Sequence, residues 1–226
     1  MPLDPKLQKF TTARQTLVSV DWTDFADGTG NVTFNLTNYI EDTTADYYLH
    51  QTALASNTIA PQADNNTATF TKNLDLDFDL TPFNFAKTLK GISRGNITLG
   101  ARTLSAAPNT WEVYAIIKLR HWDGSTETEI AQSQTETLAG GGGAINVKES
   151  KVMGFSIDAT AGQNFAVGDT LRVTVEIWGR EIAGNSYGGF GCDPADRNDE
   201  SAVNGGIIED TDSTQAIITI PFETDL

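Results

Sequence analysis

Cysteine and histidine are nearly absent from this chain. One cysteine, Cys192, stands among 226 residues, so no disulfide can form within a single copy. The two histidines, His50 and His121, lie near no other metal-ligating residue at a recognised spacing. A zinc site or a Ser-His-Asp triad would have to be assembled from these two histidines, so we expect neither.

Basic residues are also scarce. Fifteen Lys and Arg stand against thirty Asp and Glu, which gives a formal net charge of −15 at pH 7. Nucleic acids and anionic lipid surfaces are bound by clustered Lys and Arg, and the sequence contains no such cluster. We therefore expect no nucleic-acid partner and no membrane partner.

Long apolar runs are missing as well. No segment approaches the roughly 20 apolar residues that cross a bilayer. The N-terminal stretch MPLDPKLQKFTTARQTLVSV lacks the apolar core of a secretory signal, so we expect synthesis in a cytoplasm. Hydrophobic residues still make up 39% of the chain, which is enough material for a sizeable core.

The pattern that is present has a period of two. Alternation of apolar and polar residues marks a strand with one face on a core and the other in water. Many such segments, separated by turns rich in Gly, Asn and Asp, predict an all-β fold: an antiparallel β-sandwich, jelly-roll-like, with eight to ten strands and long loops. One short helix is expected at 81–92. The segments read as strands are 17–22, 31–39, 46–55, 67–80, 96–102, 110–122, 128–138, 145–157, 169–179 and 215–222.

The clearest alternation is NLDLDFDL, residues 73–80, which places Asp75, Asp77 and Asp79 on one face of a strand. Two charges at that spacing, about 7 Å, repel by roughly 0.6 kcal/mol in water, so an exposed row is tolerable. We interpret the row as a solvent-facing surface rather than a calcium site. Lys72 breaks the apolar parity and predicts a bulge or a strand start nearby.

No catalytic motif is present: the sequence lacks G-x-S-x-G, H-E-x-x-H and C-x-x-C. We therefore expect no enzyme activity, no catalytic residue and no cofactor. A hydrolase built on two carboxylates stays open as a third reading, although no pattern singles out a pair.

The ends and one long connection are the remaining features. Residues 1–16 carry two prolines and no clear period, which predicts an extended arm with Leu3 and Phe10 as apolar contacts. Residues 17–226 are expected to form a single sandwich domain. Within it, 183–215 is far longer than an ordinary connection and predicts a functional loop, with Tyr187 and Phe190 as interaction anchors.

Acidic residues cluster in the same long connection. Oxygen-rich loops bind calcium, although the D-x-[DN]-x-[DN]-G pattern is absent. Calcium is therefore a minor alternative to the expectation of no metal. The candidate ligands are Asp193, Asp196, Asp199 and Glu200.

The segments WEVYAIIKLRHWDGSTETEIAQSQTETL and FAVGDTLRVTVEIWG, with a glycine break between them, resemble virion structural proteins of tailed phages, especially jelly-roll head-decoration (cement) proteins. The resemblance covers roughly residues 110–180. It implies an oligomer, expected to be a homotrimer, that is assembled in the host cytoplasm and seated on the capsid exterior. Its partner would be the major capsid protein, and it would stabilise the head by bridging capsomers.

A carbohydrate- or receptor-binding module is the main alternative. Such modules use exposed aromatic residues, and Trp178 lies on the polar parity of its strand, opposite Leu171, Val173, Val175 and Ile177. Trp178 is therefore the candidate glycan-binding residue under this alternative.

Overall fold

The computed structural model describes residues 29–41, 44–51, 61–105, 109–191, 206–208 and 214–223. Within these ranges the fold is all-β, and no helix is long and apolar enough to span a bilayer. The strands are β1 (Thr29–Glu41), β2 (Thr44–His50), β3 (Gln62–Asn65), β4 (Thr71–Asp79), β5 (Lys87–Thr103), β6 (Asn109–Trp122), β7 (Glu127–Gln134), β8 (Leu138–Gly142), β9 (Lys148–Phe165), β10 (Thr170–Ala183), β11 (Ser186–Gly191) and β12 (Ala216–Glu223).

The alternation of the sequence determines which side chains are buried. In β6 every second residue from Trp111 to Leu119 is fully buried, and in β10 Val173, Val175 and Ile177 lie on the same inner side. β-Branched and aromatic residues favour this pleated, half-buried setting. The inner residues of β6 are Trp111, Val113, Ala115, Ile117 and Leu119.

All the strands belong to one hydrogen-bonded sheet in the order β3-β11-β5-β12-β1-β2-β4-β10-β6-β7, with β8 on β6 and β9 on β5. Among the described residues the pairings are antiparallel except for one parallel contact between β2 and β4, at Tyr48 and Asp79. The expected all-β sandwich is confirmed, and the described ranges contain twelve strands where eight to ten were expected.

The sheet folds over on itself, so two leaves face each other across one core. Phe78 of β4 contacts Phe190 of β11 with ring centroids 6.2 Å apart, although these strands are not neighbours in the sheet. His121 of β6 contacts Phe165 of β9 in the same way, at 4.8 Å. The first leaf is β4-β10-β6-β7, and the second is β1-β12-β5-β9 with β11 and β3.

Two expectations about local structure are wrong. The stretch 81–92 is not a helix: β5 begins at Lys87, and Leu89 lies in the core with Lys90 outside, as in any alternating strand. The region 183–215 is not a loop throughout, because β11 (Ser186–Gly191) pairs with both β5 and β3. The length of the connection was therefore no sign of a continuous loop, because part of it satisfies its backbone hydrogen bonds as a strand.

One end of the second leaf is fixed by its register. Thr29 pairs with Glu223, Glu223 pairs with Thr88, and Thr88 pairs with Asn164, so these residues form one row across the leaf. The described chain enters the sheet at this row. The loop before β5 and the turn after β9 lie at the same end.

Candidate functional site

The outer side of the first leaf carries a continuous network of charges, which we call the ion-pair face. The outward orientation expected for the three aspartates of β4 is confirmed by the register with β10. The pairing register of β10 with β4 also shifts between Ile177 and Trp178, opposite Lys72. This is the irregularity that Lys72 predicted when it broke the apolar–polar alternation of β4. The residues of the ion-pair face are Lys72, Asp75, Asp77, Asp79, Lys118, Arg120, Glu127, Glu129, Arg172 and Glu176.

Glu176 lies at the centre of this face, with only 4% of its side chain exposed. Its carboxylate accepts from Lys118 at 2.8 Å, from the Trp178 indole at 3.0 Å and from Lys72 at 3.4 Å. Burial opposes ionisation, but these donors outweigh it, so the pKa of Glu176 lies below its usual value. Each of the six carboxylates of this face has a cationic partner within 4.0 Å, although only four cations serve them.

Trp178 belongs to a row of aromatic rings at one end of the ion-pair face. It pairs across the ladder with Tyr114, and the two rings are nearly parallel, 3° apart, with centroids 6.3 Å apart. Phe70 contacts Tyr114 at 4.9 Å, and the Arg180 guanidinium lies over Phe70. Each of these rings is half-buried, so part of each one faces solvent.

His121 has both ring nitrogens engaged. Nε2 lies 2.6 Å from Asp169 Oδ2, and Nδ1 lies 3.2 Å from the Gln163 amide. Neither nitrogen faces a serine, threonine or cysteine side chain among these contacts, as a catalytic triad requires. The histidine instead fixes the turn between β9 and β10, where the Ala166 N–H donates to Asp169.

The two anchors expected in the long loop have different positions. Phe190 is fully buried in the core, so the interpretation that it is an exposed anchor is wrong: its strand parity turns it inward toward Phe78. Tyr187 is half-buried; it packs against Ile207 and Ile208 and lies under the Arg102 guanidinium.

Glu181 was missed by the sequence reasoning. It lies on the same inward face of β10 as Val173, Val175 and Ile177. Its carboxyl group therefore points toward the core, and only 6% of the residue is exposed. Burial raises its pKa; the nearby Ser186 hydroxyl and Thr110 N–H oppose this only in part. Within the described ranges neither carboxyl oxygen makes a hydrogen bond of normal geometry. The sequence signal that could have identified Glu181 is its charge, because the preceding residues Val173, Val175 and Ile177 on the same face of the strand are apolar.

The outer side of the second leaf differs from the ion-pair face. Two rows of paired residues cross it, and neither row contains a carboxylate. We call it the Thr/Asn face. Its rows are Thr33, Thr219, Arg94 and Ser156, and Asn35, Ile217, Asn96 and Gly154. A depression of about 360 Å³ lies at its centre.

Exposed apolar side chains are found beside this face, at the end of the leaf where the Thr29 row lies. Phe85 is 62% exposed and Val167 is 67% exposed. Their loops are joined by backbone hydrogen bonds from Phe83 to Asp169 and from Gly168 to Phe83, each 2.9 Å long. The two loops that carry Phe85 and Val167 are therefore held together through their backbones. We call these two side chains the apolar end.

Several candidate residues fall outside the described ranges: Leu3 and Phe10 of the expected arm, the strand at 17–22 and Cys192. The calcium candidates also lie there, namely Asp193, Asp196, Asp199 and Glu200. Among the residues that the structure does describe, no three His, Cys, Asp or Glu are grouped so as to hold a metal ion.

Comparisons with known proteins identify no family. No family model matches the chain, and no curated protein matches it significantly. The chain is similar to an aminopeptidase from the marine sediment archaeon Thaumarchaeota archaeon, with 9% identity and a TM-score of 0.47, over 84% of this chain and 36% of that one. It is similar to an α-amino acid ester hydrolase with 10% identity and a TM-score of 0.47, over 85% and 36% of the two chains.

A viral structure is also among the similar ones. The structure of infectious bursal disease virus, Gx strain, matches with 10% identity and a TM-score of 0.29, over 100% of this chain and 41% of that one. The chain spans little more than a third of either enzyme, 36% of each. At such identities and TM-scores, these likenesses carry no inference about what the chain does.

Proposed function

We propose that this chain is a virion structural protein that decorates a tailed-phage head as a cement, bridging neighbouring copies of the major capsid protein. The observation that carries the proposal is the contrast between the two outer surfaces of the sandwich. The ion-pair face carries ten charged side chains joined in salt bridges, whereas the two rows of the Thr/Asn face carry one, Arg94, and Phe85 and Val167 expose apolar side chains beside them.

The physical reason is the cost of removing charges from water. Covering the ion-pair face would desolvate many ionised groups that are already paired. Covering the Thr/Asn face removes mainly hydroxyl, amide and aliphatic groups from water, at a much lower cost per area. Phe85 and Val167 would add apolar burial, at roughly 25 cal/mol per Å² before association costs. The acidic remainder would face solvent.

The expected N-terminal arm, residues 1–16, is the second part of the proposed contact. Its apolar side chains Leu3 and Phe10 would bind a neighbouring capsomer.

The test uses phage particles whose genome encodes this chain. Particles assembled without the protein should release DNA at a lower temperature than complete particles. When the salt concentration is lowered, they should also release DNA at a concentration at which complete particles are still intact. Adding back the purified protein should restore both thresholds. Particles without the protein that resist heat and low salt as well as complete ones would contradict the proposal.

The apolar end gives matched variants for the add-back experiment. Phe85→Asp and Val167→Asp should each weaken rebinding at least tenfold, because a charge replaces an exposed apolar contact. Ile182→Asp is the control, since Ile182 is similarly exposed, at 52%, but lies at the far end of β10. Equal loss of binding in all three variants would point to unspecific damage and count against docking through this end.

Self-association as a homotrimer is part of the proposal. Native mass spectrometry of the purified chain at micromolar concentration should show a mass three times that of the 24.4 kDa monomer. A monomeric mass at all micromolar concentrations tested would contradict the trimer.

The aromatic row favours a second candidate function, glycan or receptor binding. Parallel, half-exposed rings such as Tyr114 and Trp178 present flat apolar surfaces of the kind that sugar rings stack on. On a glycan array, Trp178→Ala should abolish any signal of the wild-type protein. Trp122→Ala is the control, because Trp122 lies on the same leaf, beneath Arg172, outside this row. If the wild-type protein gives no signal on the array, this candidate function is contradicted.

A further inference from the structure

The depression in the Thr/Asn face exists because a glycine takes the place of a side chain. Gly154 faces outward on β9, in the row that continues to Asn96 and Ile217. A Cβ built at Gly154 would meet only Asn96 Oδ1, at 3.5 Å, which is an ordinary contact. The site therefore has room for a group from outside. The depression has a volume of about 360 Å³ and is lined by Arg94, Gly95, Asn96, Gly154, Phe155, Ile217 and Thr219.

The chemistry of the lining is that of an anion site. Arg94 is exposed and supplies a guanidinium, while Asn96 and Thr219 add an amide and a hydroxyl. None of the lining residues is acidic. In the part of the chain that the structure describes, no carboxylate forms an ion pair with Arg94, in contrast to Arg172, which is tied to Asp77, Asp79 and Glu127.

The position of Arg94 also distinguishes it from the other cations. Its row runs from Thr33 through Thr219 to Ser156, so its directly paired neighbours on both strands are neutral, and the nearest carboxylate of β9 on this face, Asp158, lies two residues beyond Ser156 and is not bonded to Arg94. The nearest ion pair on the same strand, Lys90 with Glu223, lies toward the end of the leaf. The guanidinium is therefore exposed to a partner at the centre of the Thr/Asn face. Arginine side chains near the centre of an interface are among those that contribute most to binding.

We propose that this depression receives a carboxylate side chain of the major capsid protein, held by the Arg94 guanidinium and the Asn96 amide. The inference rests on the proposed function and adds the chemistry of the contact. A carboxylate matches the planar, two-pronged donor pattern of a guanidinium. A partner carboxylate would meet an unpaired guanidinium at this depression but carboxylates that already have cationic partners on the ion-pair face, which favours docking through the Thr/Asn face.

The test measures binding of the purified protein to shells prepared without it. Arg94→Gln should weaken binding at least tenfold, and Arg94→Lys should weaken it less. Gly154→Leu should also weaken binding at least tenfold, because it fills the depression without changing any charge. Lys151→Gln is the matched control, since it removes an exposed cation near the start of β9, at the opposite end of that strand from the apolar end and outside the lining of the depression; it should bind within twofold of the wild type.

A chemical arm identifies the partner group. Shells whose surface carboxylates have been amidated with carbodiimide and ethanolamine should bind the wild type and Arg94→Gln equally. The variants should keep the wild-type urea midpoint, because Arg94 and Gly154 are both exposed. Binding of Arg94→Gln and Gly154→Leu within twofold of the wild type would overturn this inference while leaving the proposed function standing. Failure of the wild-type protein to bind shells would overturn the proposed function itself.

Discussion

The guanidinium of Arg172 on β10 holds the carboxylate of its cross-strand partner Asp79 with two hydrogen bonds, Nε to Oδ1 at 2.6 Å and Nη2 to Oδ2 at 2.8 Å. Its third nitrogen, Nη1, reaches Glu127 at 3.1 Å and Asp77 at 3.3 Å. One cation on β10 thus joins β4 to β7 across the ion-pair face. The hydrogen bonds with Asp79 are the main reason that the pKa of Arg172 is raised.

Replacing Arg172 should therefore cost more than replacing an ordinary surface charge. Arg172→Met keeps the aliphatic stem but leaves Asp77, Asp79 and Glu127 close together without their shared cation. We expect the free energy of unfolding in urea at pH 7 to fall by about 2 kcal/mol. Lys90→Met, which breaks the exposed pair with Glu223, should cost at most about 0.5 kcal/mol. Equal losses would show that the network adds nothing beyond isolated pairs.

Glu176 should make the fold sensitive to acid. Its pKa is lower in the folded protein than in the unfolded chain, so the stability it contributes is present above the unfolded value and is lost as the pH falls through the folded value. Glu176→Gln should cost about 2–3 kcal/mol at pH 7, because Lys118 loses the closer of its two carboxylate partners, and the difference from the wild type should shrink toward pH 3. Urea titrations at several pH values measure this, and a difference that stays constant with pH would contradict it.

Glu181 should have the opposite pH dependence. Its pKa is raised in the fold, so the folded state binds a proton more tightly, and stability falls as the pH rises from the unfolded value through the folded one. Glu181→Gln removes a charge from the interior without changing its shape. We expect the variant to be about 1–2 kcal/mol more stable than the wild type at pH 7 and nearly equal to it at pH 4. Thermal unfolding at the two pH values checks this, and a destabilised variant at pH 7 would show that the carboxylate is satisfied.

The alternation in the sequence was sufficient to predict the sandwich and the outward row of Asp75, Asp77 and Asp79. Side-chain parity is a local property, and the buried face of a strand follows from it directly. The same parity, carried four residues beyond Ile177, passes Gly179 and reaches Glu181, a charged residue at an inward position. The partners of these residues were not predictable, because Arg172 lies 93 residues from Asp79 along the chain.

The misread segment around Tyr187 and Phe190 has a physical explanation. The length of the connection predicted a loop at 183–215, but its glycines in β11 allow close packing between β3 and β5. A Cβ at Gly189 would lie 1.9 Å from the Pro61 carbonyl oxygen, so the absence of a side chain permits the pairing. Composition alone does not distinguish a glycine that frees the backbone from one that lets two strands approach.

Two glycines should therefore respond differently to the same substitution. Gly189→Ala places a methyl group against backbone atoms of Pro61 and Gln62, which cannot move away as a flexible side chain can. We expect the free energy of unfolding to fall by about 2–3 kcal/mol or more. Gly154→Ala meets only Asn96 Oδ1, at 3.5 Å, and should change stability by at most about 0.5 kcal/mol. Urea unfolding of both variants decides the matter. If Gly189→Ala were as stable as Gly154→Ala, the close approach of β11 and β3 would not be a feature of the folded protein, and Phe190 would lose the strand that turns it into the core.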